Sequence, residues 1–354
     1  MFKDIYKGRR VLVTGHTGFK GSWLCMWLQQ LGAEVTGYSL EGAVTEPNHY
    51  RLLDMSGMDD RRGDIRDYAT LKRVVDEVKP ELVFHMAAQP LVRLSYQQPL
   101  DTFATNVMGA ANVLQACRSV EGLMGVVNIT SDKCYENTGK HGGYVETDPM
   151  GGHDPYSASK GCAELVAASF ARAYSDLAPV ASVRAGNVVG GGDWAADRLI
   201  PDAVRAKTEG RELDIRRPDA VRPWQHVLEP LSGYLLVGQR LLEGADVAGG
   251  WNFGPDHTSV LTVEDVLDTL KTHMAFDYSK PEDAAGMHEA TLLTLDSTKA
   301  KQQLDWKPVW DAATMLKHTA EWYESFLSTG EIISTRQLHA YVADAAAEGQ
   351  AWAS

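Results

Sequence analysis

A glycine-rich turn between a strand and a helix constrains the fold of this chain more than any other feature. Three glycines, Gly15, Gly18 and Gly21, follow a short β-branched strand, and residues 22–38 then read as a helix and a second strand. In that order Gly15 permits a tight turn, Gly18 lets a pyrophosphate approach the backbone, and Gly21 permits close helix–strand packing. The helix N-terminus would face the diphosphate with unpaired N–H groups. The pattern predicts a dinucleotide-binding α/β unit.

The end of the second predicted strand indicates which dinucleotide is bound. NAD-binding folds usually place an acid here for the ribose hydroxyls, whereas NADP binders place an arginine nearby. Glu41 lies at about the right distance, and Ser39 is the alternative occupant of the position. The nearest downstream arginine is Arg51, so a 2′-phosphate site is poorly supported. The predicted cofactor is NAD.

A second group of polar residues lies between a strand end and a helix start. The apolar strand 125–129 breaks into a polar run that contains Thr130, Asp132 and Lys133, and a long Gly/Pro-rich loop leads to Tyr156 and Lys160. In an open α/β sheet, ligands and chemistry lie just outside the carboxyl ends of the strands. We therefore expect these side chains to form the catalytic site.

Tyr156 and Lys160 are four residues apart and share one helix face. A neighbouring ammonium, helped by a nicotinamide cation, is expected to lower the pKa of the phenol toward the working range. The phenolate can then take a proton from an alcohol whose hydride leaves for NAD. Tyr68 and Lys72 have the same spacing, but no acid or hydroxyl cluster precedes them, so we interpret that pair as helix surface.

Composition limits the partners and the location. A formal net charge of -13 argues against binding nucleic acid or an anionic membrane, because either would repel the chain. No apolar run approaches the length of a membrane span, and the N-terminus enters a strand too quickly for a signal peptide. The four cysteines are widely spaced, so we predict reduced thiols, no metal site and a cytoplasmic location.

The order of elements predicts a Rossmann-type doubly wound parallel sheet with a smaller, mixed C-terminal substrate lobe. We assign residues 1–187 and about 228–258 to the NAD-binding domain. Residues 188–227 and 259–330, where the pattern becomes irregular and richer in arginine, are assigned to a nucleotide-sugar-binding lobe. The tail, 331–354, carries no chemical signal.

Four motifs appear together in one order: TGxxGxxG at 14–21, HMAAQ at 85–89, TSD at 130–132, and Tyr156 with Lys160. Their combination resembles the extended short-chain dehydrogenase/reductase family over residues 9–328. The resemblance implies that Thr130 hydrogen-bonds the sugar hydroxyl being oxidised, and that Tyr156 is the base. Lys160 would also hold the nicotinamide ribose. The cofactor-binding residues that it implies are Gly15, Gly18, Phe19, Gly21, Ser39, Asp64, Ile65, Ala87, Ala88, Gln89, Tyr156 and Lys160.

The pair after the hydroxyl residues indicates the branch. Nucleotide-sugar 4,6-dehydratases commonly carry Asp-Glu there, and 4-epimerases have no such acid/base pair; Asp132-Lys133 looks like the CDP-glucose 4,6-dehydratase branch. Oxidation of carbon 4 acidifies the proton on carbon 5, so a base must remove that proton. An acid must protonate the hydroxyl that leaves carbon 6. We assign Asp132 as the acid and Lys133, acting as a neutral amine, as the candidate base.

Arginines of the lobe are candidates for binding the substrate diphosphate. Arg222 is the first choice because a guanidinium offers a planar, bidentate fork, and the less favoured alternative is a surface arginine over Trp224. Arg198 and Arg205 are weaker candidates, and the resemblance adds Asn187. The resemblance also implies a homodimer or higher homo-oligomer through the helices at 99–118 and 154–174.

Three other functions remain open at this point. A 4-epimerase of the same family has no use for the Asp132-Lys133 pair. A reductase that uses NADP would need an arginine for the 2′-phosphate. A non-catalytic NAD-sensing module would keep the glycine turn without needing Thr130, Tyr156 and Lys160 together.

Overall fold

The computed structural model describes residues 1–42, 45–215, 217–256, 259–280 and 293–354. In chain order the strands are β1 Arg10–Thr14, β2 Glu34–Ser39, β3 Asp59–Arg62, β4 Leu82–His85, β5 Gly125–Ile129, β6 Val180–Ala185, β7 Asn187–Val189, β8 Leu213–Asp214, β9 Val221–His226, β10 Gly249–Phe253, β11 Val260–Thr262 and β12 Tyr278–Ser279.

The helices of the same ranges are α1 Phe19–Gln30, α2 His49–Leu52, α3 Tyr68–Val78, α4 Val92–Gln97, α5 Pro99–Phe103, α6 Gly109–Cys117, α7 Pro155–Ala173, α8 Leu199–Glu209, α9 Leu228–Leu242, α10 Val263–Lys271, α11 Thr298–Gln303, α12 Ala312–Thr329 and α13 Ser334–Ala347. A π-helical turn, Ala104–Met108, joins α5 to α6. The predicted helix at 99–118 is thus present but interrupted.

The central sheet has seven parallel strands in the order β10-β6-β5-β4-β1-β2-β3. The chain winds outward in both directions from β1, so the order reverses between β1 and β4. That reversal opens a crevice at the carboxyl ends of the strands, where doubly wound folds bind ligands. The predicted Rossmann-type sheet is confirmed.

Two small sheets lie outside the central one. One pairs β9 with β7 in parallel and with β11 in antiparallel orientation, and the other pairs β8 with β12. They account for the mixed character expected of the substrate lobe. Residues 281–292 of the segment assigned to that lobe lie outside the described residues.

Close backbone contacts explain two of the three glycines in the turn after β1. Gly15 has a φ of +76°, and a Cβ there would lie 2.7 Å from the backbone nitrogen of Ala87. A Cβ on Gly21 would lie 2.2 Å from the carbonyl oxygen of Gly15. The turn, α1 and the end of β4 therefore fit together only with glycine at both positions.

The tail that carried no chemical signal packs into the core. Nε2 of the buried His49 lies 2.8 Å from Oγ of Ser334, the first residue of α13. The ring of Trp352 stacks on that of Phe2 with centroids 5.1 Å apart. The tail thus covers the start of the chain and braces the segment that follows β2.

Within the described ranges no helix combines the length and the apolar character needed to span a bilayer. The four cysteines all carry free thiols.

Candidate active site

A cavity of about 750 Å³ opens at the carboxyl ends of the central strands, between the glycine turn and the small sheets. It brings together predicted site residues that the sequence places as much as 207 positions apart, from Gly15 to Arg222. Most of the predicted site residues line it: Gly15, Gly18, Phe19, Gly21, Ser39, Asp64, Ile65, Ala87, Ala88, Thr130, Asp132, Lys133, Tyr156, Lys160, Asn187, Arg198 and Arg222.

Two predicted residues are not among those that line the cavity, and both have structural partners instead. The side-chain amide of Gln89 donates to Oγ1 of Thr102 at 2.9 Å and braces the segment after β4. The guanidinium of Arg205 donates to the carbonyl oxygen of Trp194 at 3.1 Å and pairs with Asp202. Neither side chain lines the cavity, so the assignments of Gln89 to the cofactor and of Arg205 to the diphosphate stay predictions that the cavity does not support.

The first turn of α7 positions Tyr156. Asp154 caps the helix, because its carboxylate accepts the backbone N–H of Ser157 at 2.9 Å and the Ser157 hydroxyl at 2.6 Å. Pro155 occupies the first helical position, where its missing N–H costs nothing. The backbone N–H of Tyr156 donates to Oγ of Ser95 at 3.1 Å. The phenol is consequently held on the cavity wall.

Burial dominates the electrostatics of Tyr156. Burial raises the pKa of Tyr156 to about 12, although a hydrogen bond with Ser131 and the charge of Arg198 oppose this rise. Lys160 is not among the causes that act on this pKa in the structure, and the expected lowering by Lys160 together with a nicotinamide cation stays a prediction. The ammonium of Lys160 donates instead to the carbonyl oxygen of Ile129 at 3.4 Å. Burial lowers the pKa of Lys160 to about 8.

Thr130 follows the last residue of β5, and its hydroxyl donates to the carboxylate of Glu164. Arg184 holds that carboxylate with two hydrogen bonds of 2.8 Å. Another guanidinium nitrogen of Arg184 donates to the hydroxyl of Tyr135 at 2.5 Å. Glu164 and Arg184 are both buried. The orientation of Thr130 is thus set by a charged pair behind the cavity wall.

Asp132 and Lys133 lie in a short 3₁₀ turn, Asp132–Cys134, that Ser131 caps. The strand therefore ends before this pair, as the sequence required. Burial raises the pKa of Asp132, against the opposing charge of Lys133 and a hydrogen bond from Ser131. A carboxyl group shifted in this direction favours the protonated form, which an acid catalyst needs.

The substrate-lobe residues face the same space. The charge of Arg222 acts to lower the pKa of Asp132, and its Nη1 donates to the carbonyl oxygen of Val221 at 2.9 Å. Arg198 pairs with Asp193 at 3.5 Å. Asn187 begins β7 and is half-buried. Arg198 and Arg222 therefore line the same cavity as the predicted catalytic residues.

Comparison with known proteins agrees with this geometry. A family model described as GDP-mannose 4,6 dehydratase matches residues 12–319. This chain belongs to that family. A CDP-glucose 4,6-dehydratase of Salmonella typhimurium is 49% identical to it over 352 residues, which cover 96% of this chain and 98% of the relative. The predicted membership among nucleotide-sugar dehydratases of the short-chain dehydrogenase/reductase type is confirmed.

Solved structures of similar proteins share the fold. A dTDP-glucose 4,6-dehydratase from Streptomyces venezuelae, solved with NAD bound, has a TM-score of 0.77 and 26% identity, covering 89% of this chain and 97% of that chain. A UDP-glucose 4-epimerase from Thermotoga maritima has a TM-score of 0.77 and 25% identity, covering 90% of this chain and 99% of that chain. Dehydratases and epimerases thus share this architecture, so the site residues must distinguish them.

The residues of this family member fit a dinucleotide. Gly18 precedes α1 without a side-chain cap, which leaves the first N–H groups of the helix to face an anion. Gly15 keeps the turn close against Ala87, and the exposed face of that turn lines the cavity. These are the features that a dinucleotide diphosphate requires.

Sequence reasoning missed several residues of the site. Glu164 lies four positions after Lys160 on the same helix face, and this spacing could have indicated it. Lys20 lies inside the glycine turn and lines the cavity. Burial, together with the nearby charge of Lys160, lowers the pKa of Lys20 to about 7. Arg184 gave no local signal, because its partner Glu164 is 20 positions away.

Proposed function

We propose that this chain is a CDP-glucose 4,6-dehydratase that uses NAD as a regenerated cofactor. The observation that carries the proposal is the buried Asp132, whose pKa is raised and which lines the same cavity as Thr130 and Tyr156. Oxidation of an alcohol needs the hydroxyl and the phenol but has no use for a second acid. The near full-length identity with the Salmonella dehydratase supports the same reaction.

Thr130, Tyr156 and Lys160 serve the oxidation of carbon 4. The hydroxyl of Thr130 holds the sugar hydroxyl, and Tyr156 takes its proton. Lys160 lies on the same helix face as Tyr156 and binds the nicotinamide ribose. Bound NAD would supply a hydride acceptor for carbon 4 and, once reduced, a hydride donor for carbon 6, so no cofactor would be consumed over a turnover.

Asp132 and Lys133 serve the loss of water. Lys133, as a neutral amine, removes the proton from carbon 5 next to the new ketone. Asp132 gives its proton to the hydroxyl on carbon 6, which leaves as water. The double bond that forms between carbons 5 and 6 is then reduced at carbon 6, and carbon 5 regains a proton. The product is CDP-4-keto-6-deoxy-glucose.

Arg222 is the proposed main ligand of the substrate diphosphate, with Arg198 and Asn187 beside it. Two observations support this role: Arg222 lines the same cavity as Asp132, and its positive charge acts on the pKa of that carboxyl group. A diphosphate bound there would place the attached hexose toward the catalytic turn.

A panel of nucleotide sugars tests the proposal. Purified protein with NAD should convert CDP-glucose to a product lighter by one water, as mass spectrometry would show, and should turn over dTDP-, UDP- and GDP-glucose more slowly. A product of unchanged mass with inverted carbon 4 would support a 4-epimerase instead. Turnover only with added NADPH would support a reductase, and no reaction with any sugar would support the NAD-sensing module.

Replacing Lys133 with methionine should stop the reaction after the first oxidation. The variant is expected to lower turnover by about 10²- to 10⁴-fold, the usual contribution of a general base, while still forming reduced cofactor in a single turnover. Lys140→Met, in the same loop and paired with Asp148, is the matched control and should keep its activity. Unchanged turnover in Lys133→Met would remove Lys133 from the role of base.

We also propose a homodimer. Large apolar side chains are exposed at Leu100, Met108 and Leu165, with relative exposures of 82%, 58% and 60%. They lie on α5, the π-helical turn and α7, which pack against one another and so present one face. Sedimentation velocity should give twice the mass of the chain, and a monomer at micromolar concentration would contradict the proposal.

Four free thiols support a reducing compartment, and the cytoplasm is our proposed location.

A further inference from the structure

Hydrogen bonds join three polar side chains at the end of β2, beside the glycine turn. Nδ1 of His16 lies 2.9 Å from Oγ of Ser39, and Nε2 of His16 lies 3.1 Å from Oδ1 of Asp60. His16 belongs to the turn, Ser39 ends β2 and Asp60 belongs to β3. The fold therefore assembles this series from three separate segments.

The imidazole ring of His16 is fixed and neutral. A Cβ on Gly37 would lie 2.4 Å from Cγ of His16, so only glycine leaves room for the ring. The ring of Tyr50 packs edge-on against it, with centroids 4.9 Å apart. Burial lowers the pKa of His16, although the charge of Asp60 opposes this. Near neutral pH the ring consequently carries a single N–H.

Asp60 decides which nitrogen carries that hydrogen. Its Oδ2 accepts the hydroxyl of Tyr50 at 3.0 Å and Nη2 of Arg62 at 2.5 Å. Burial raises the pKa of Asp60, but these hydrogen bonds outweigh burial and keep it below its usual range. A carboxylate can only accept, so Nε2 of His16 must donate and Nδ1 must accept. The hydroxyl of Ser39 therefore donates to Nδ1.

We propose that Asp60, acting through His16, fixes the hydroxyl oxygen of Ser39 as a hydrogen-bond acceptor. The group that it accepts from is the 2′-hydroxyl of the adenosine ribose of the cofactor. Ser39 lines the cavity, and its other close partner is the backbone N–H of Thr17 at 3.4 Å. Serine thus takes the place of the acid that NAD-binding folds carry at this position. The inference rests on the proposed use of NAD, and Asp60 and His16 are positioning residues.

The same carboxylate also engages an arginine. Arg62 is the register partner of Ser39 on β3, and its Nη1 donates to the carbonyl oxygen of Leu40 at 3.2 Å. With Nη2 on Asp60, this guanidinium is committed to the protein. Arg62 could otherwise bind the 2′-phosphate of NADP. Its hydrogen bonds to Leu40 and Asp60 therefore favour binding of NAD rather than NADP.

Asp60→Asn tests the direction of the hydrogen bonds. Tyr50 and Arg62 donate to the Oδ2 position, so the oxygen of the new amide stays there and its NH₂ faces Nε2 of His16. The proton of the ring then moves to Nδ1, which donates to the oxygen of Ser39. The hydrogen of the Ser39 hydroxyl is then free to point at the ribose, so toward the ribose this hydroxyl changes from acceptor to donor. Nitrogen-15 NMR of His16 should find the proton on Nε2 in the wild type and on Nδ1 in Asp60→Asn.

Cofactor binding gives the second readout. NADH and its 2′-fluoro analogue, whose fluorine can accept but cannot donate, are titrated into nucleotide-free protein by fluorescence. The wild type should bind the analogue about tenfold more weakly than NADH. This preference should fall to about twofold or less in Asp60→Asn and in Ser39→Ala. The double variant, Asp60→Asn with Ser39→Ala, should show no further fall in the preference.

Asp59→Asn is the matched control, because Asp59 is the adjacent, more exposed carboxylate and pairs with Arg61 at 2.9 Å. It should keep the wild-type preference. A wild-type proton on Nδ1, or an unchanged preference in a folded Asp60→Asn, would overturn the inference. If Asp60→Asn does not fold, two results still test the inference. They are the position of the His16 proton in the wild-type spectrum and the preference of Ser39→Ala for NADH over the analogue. These experiments use no sugar nucleotide, so a result that overturns the role of Asp60 leaves the proposed dehydratase function standing. A protein that binds no NADH would instead contradict the proposed function.

Discussion

Asp132→Asn should abolish loss of water while leaving the first oxidation in place. Asparagine has nearly the same shape but no proton of suitable acidity to give to the leaving hydroxyl, and removal of a general acid typically costs about 10²- to 10⁴-fold in rate. The 4-keto hexose should therefore build up to about one equivalent per bound cofactor, because the reduced nicotinamide is not reoxidised. Its alkaline ultraviolet absorbance, together with the absorbance of the reduced nicotinamide in a single turnover, would measure this.

Glu136→Gln is the matched control for Asp132→Asn. Glu136 is a carboxylate of the same segment that borders the cavity but is exposed to solvent, and we assign it no role. Its rate should stay within about twofold of the wild type, as for surface substitutions generally. If Asp132→Asn lost the first oxidation as well, Asp132 would be a positioning residue rather than the acid.

Arg184→Met should produce the largest loss of stability in the site. It leaves the carboxylate of Glu164 buried without its two hydrogen bonds, and breaking a buried pair in this way costs about 3–5 kcal/mol. The midpoint of urea unfolding should fall accordingly. Turnover should also fall, because Thr130 donates to the same carboxylate and loses its fixed orientation.

The double variant Glu164→Gln with Arg184→Met separates charge from packing. Glutamine removes the isolated charge and keeps an acceptor for the hydroxyl of Thr130, so the double variant should be more stable than Arg184→Met alone. Stability losses that simply add would show that Arg184 acts through packing. Arg118→Met is the control, because its partner Asp176 lies at the surface, where an ion pair contributes about 0–1 kcal/mol.

The sequence indicated residues wherever local spacing carries the chemistry. The three glycines before α1 predicted the dinucleotide turn, and the same-face pair Tyr156 and Lys160 predicted the catalytic helix. It could not indicate how burial would act. Tyr156 shares its helix face with Lys160 as expected. The sequence did not show, however, that Tyr156 is buried and that this burial raises the pKa of its phenol.

Gln89 and Arg205 show the same limit from another side. Both have the residue type that their predicted roles need, but Gln89 donates to Thr102, Arg205 donates to Trp194, and neither lines the cavity. Such partners depend on how separate loops meet, and a linear pattern does not contain that information.

By itself the sequence determined the fold class, because that depends on the short-range spacing of glycines and strands, and its resemblance to nucleotide-sugar dehydratases indicated the reaction type. The tertiary structure alone decided how the hydroxyls of Thr130 and Ser39 are oriented. Each depends on a carboxylate from a distant part of the chain, Glu164 for Thr130 and Asp60, through His16, for Ser39. The direction of a hydrogen bond follows from the partners that burial forces together, and only the folded chain brings those partners within reach.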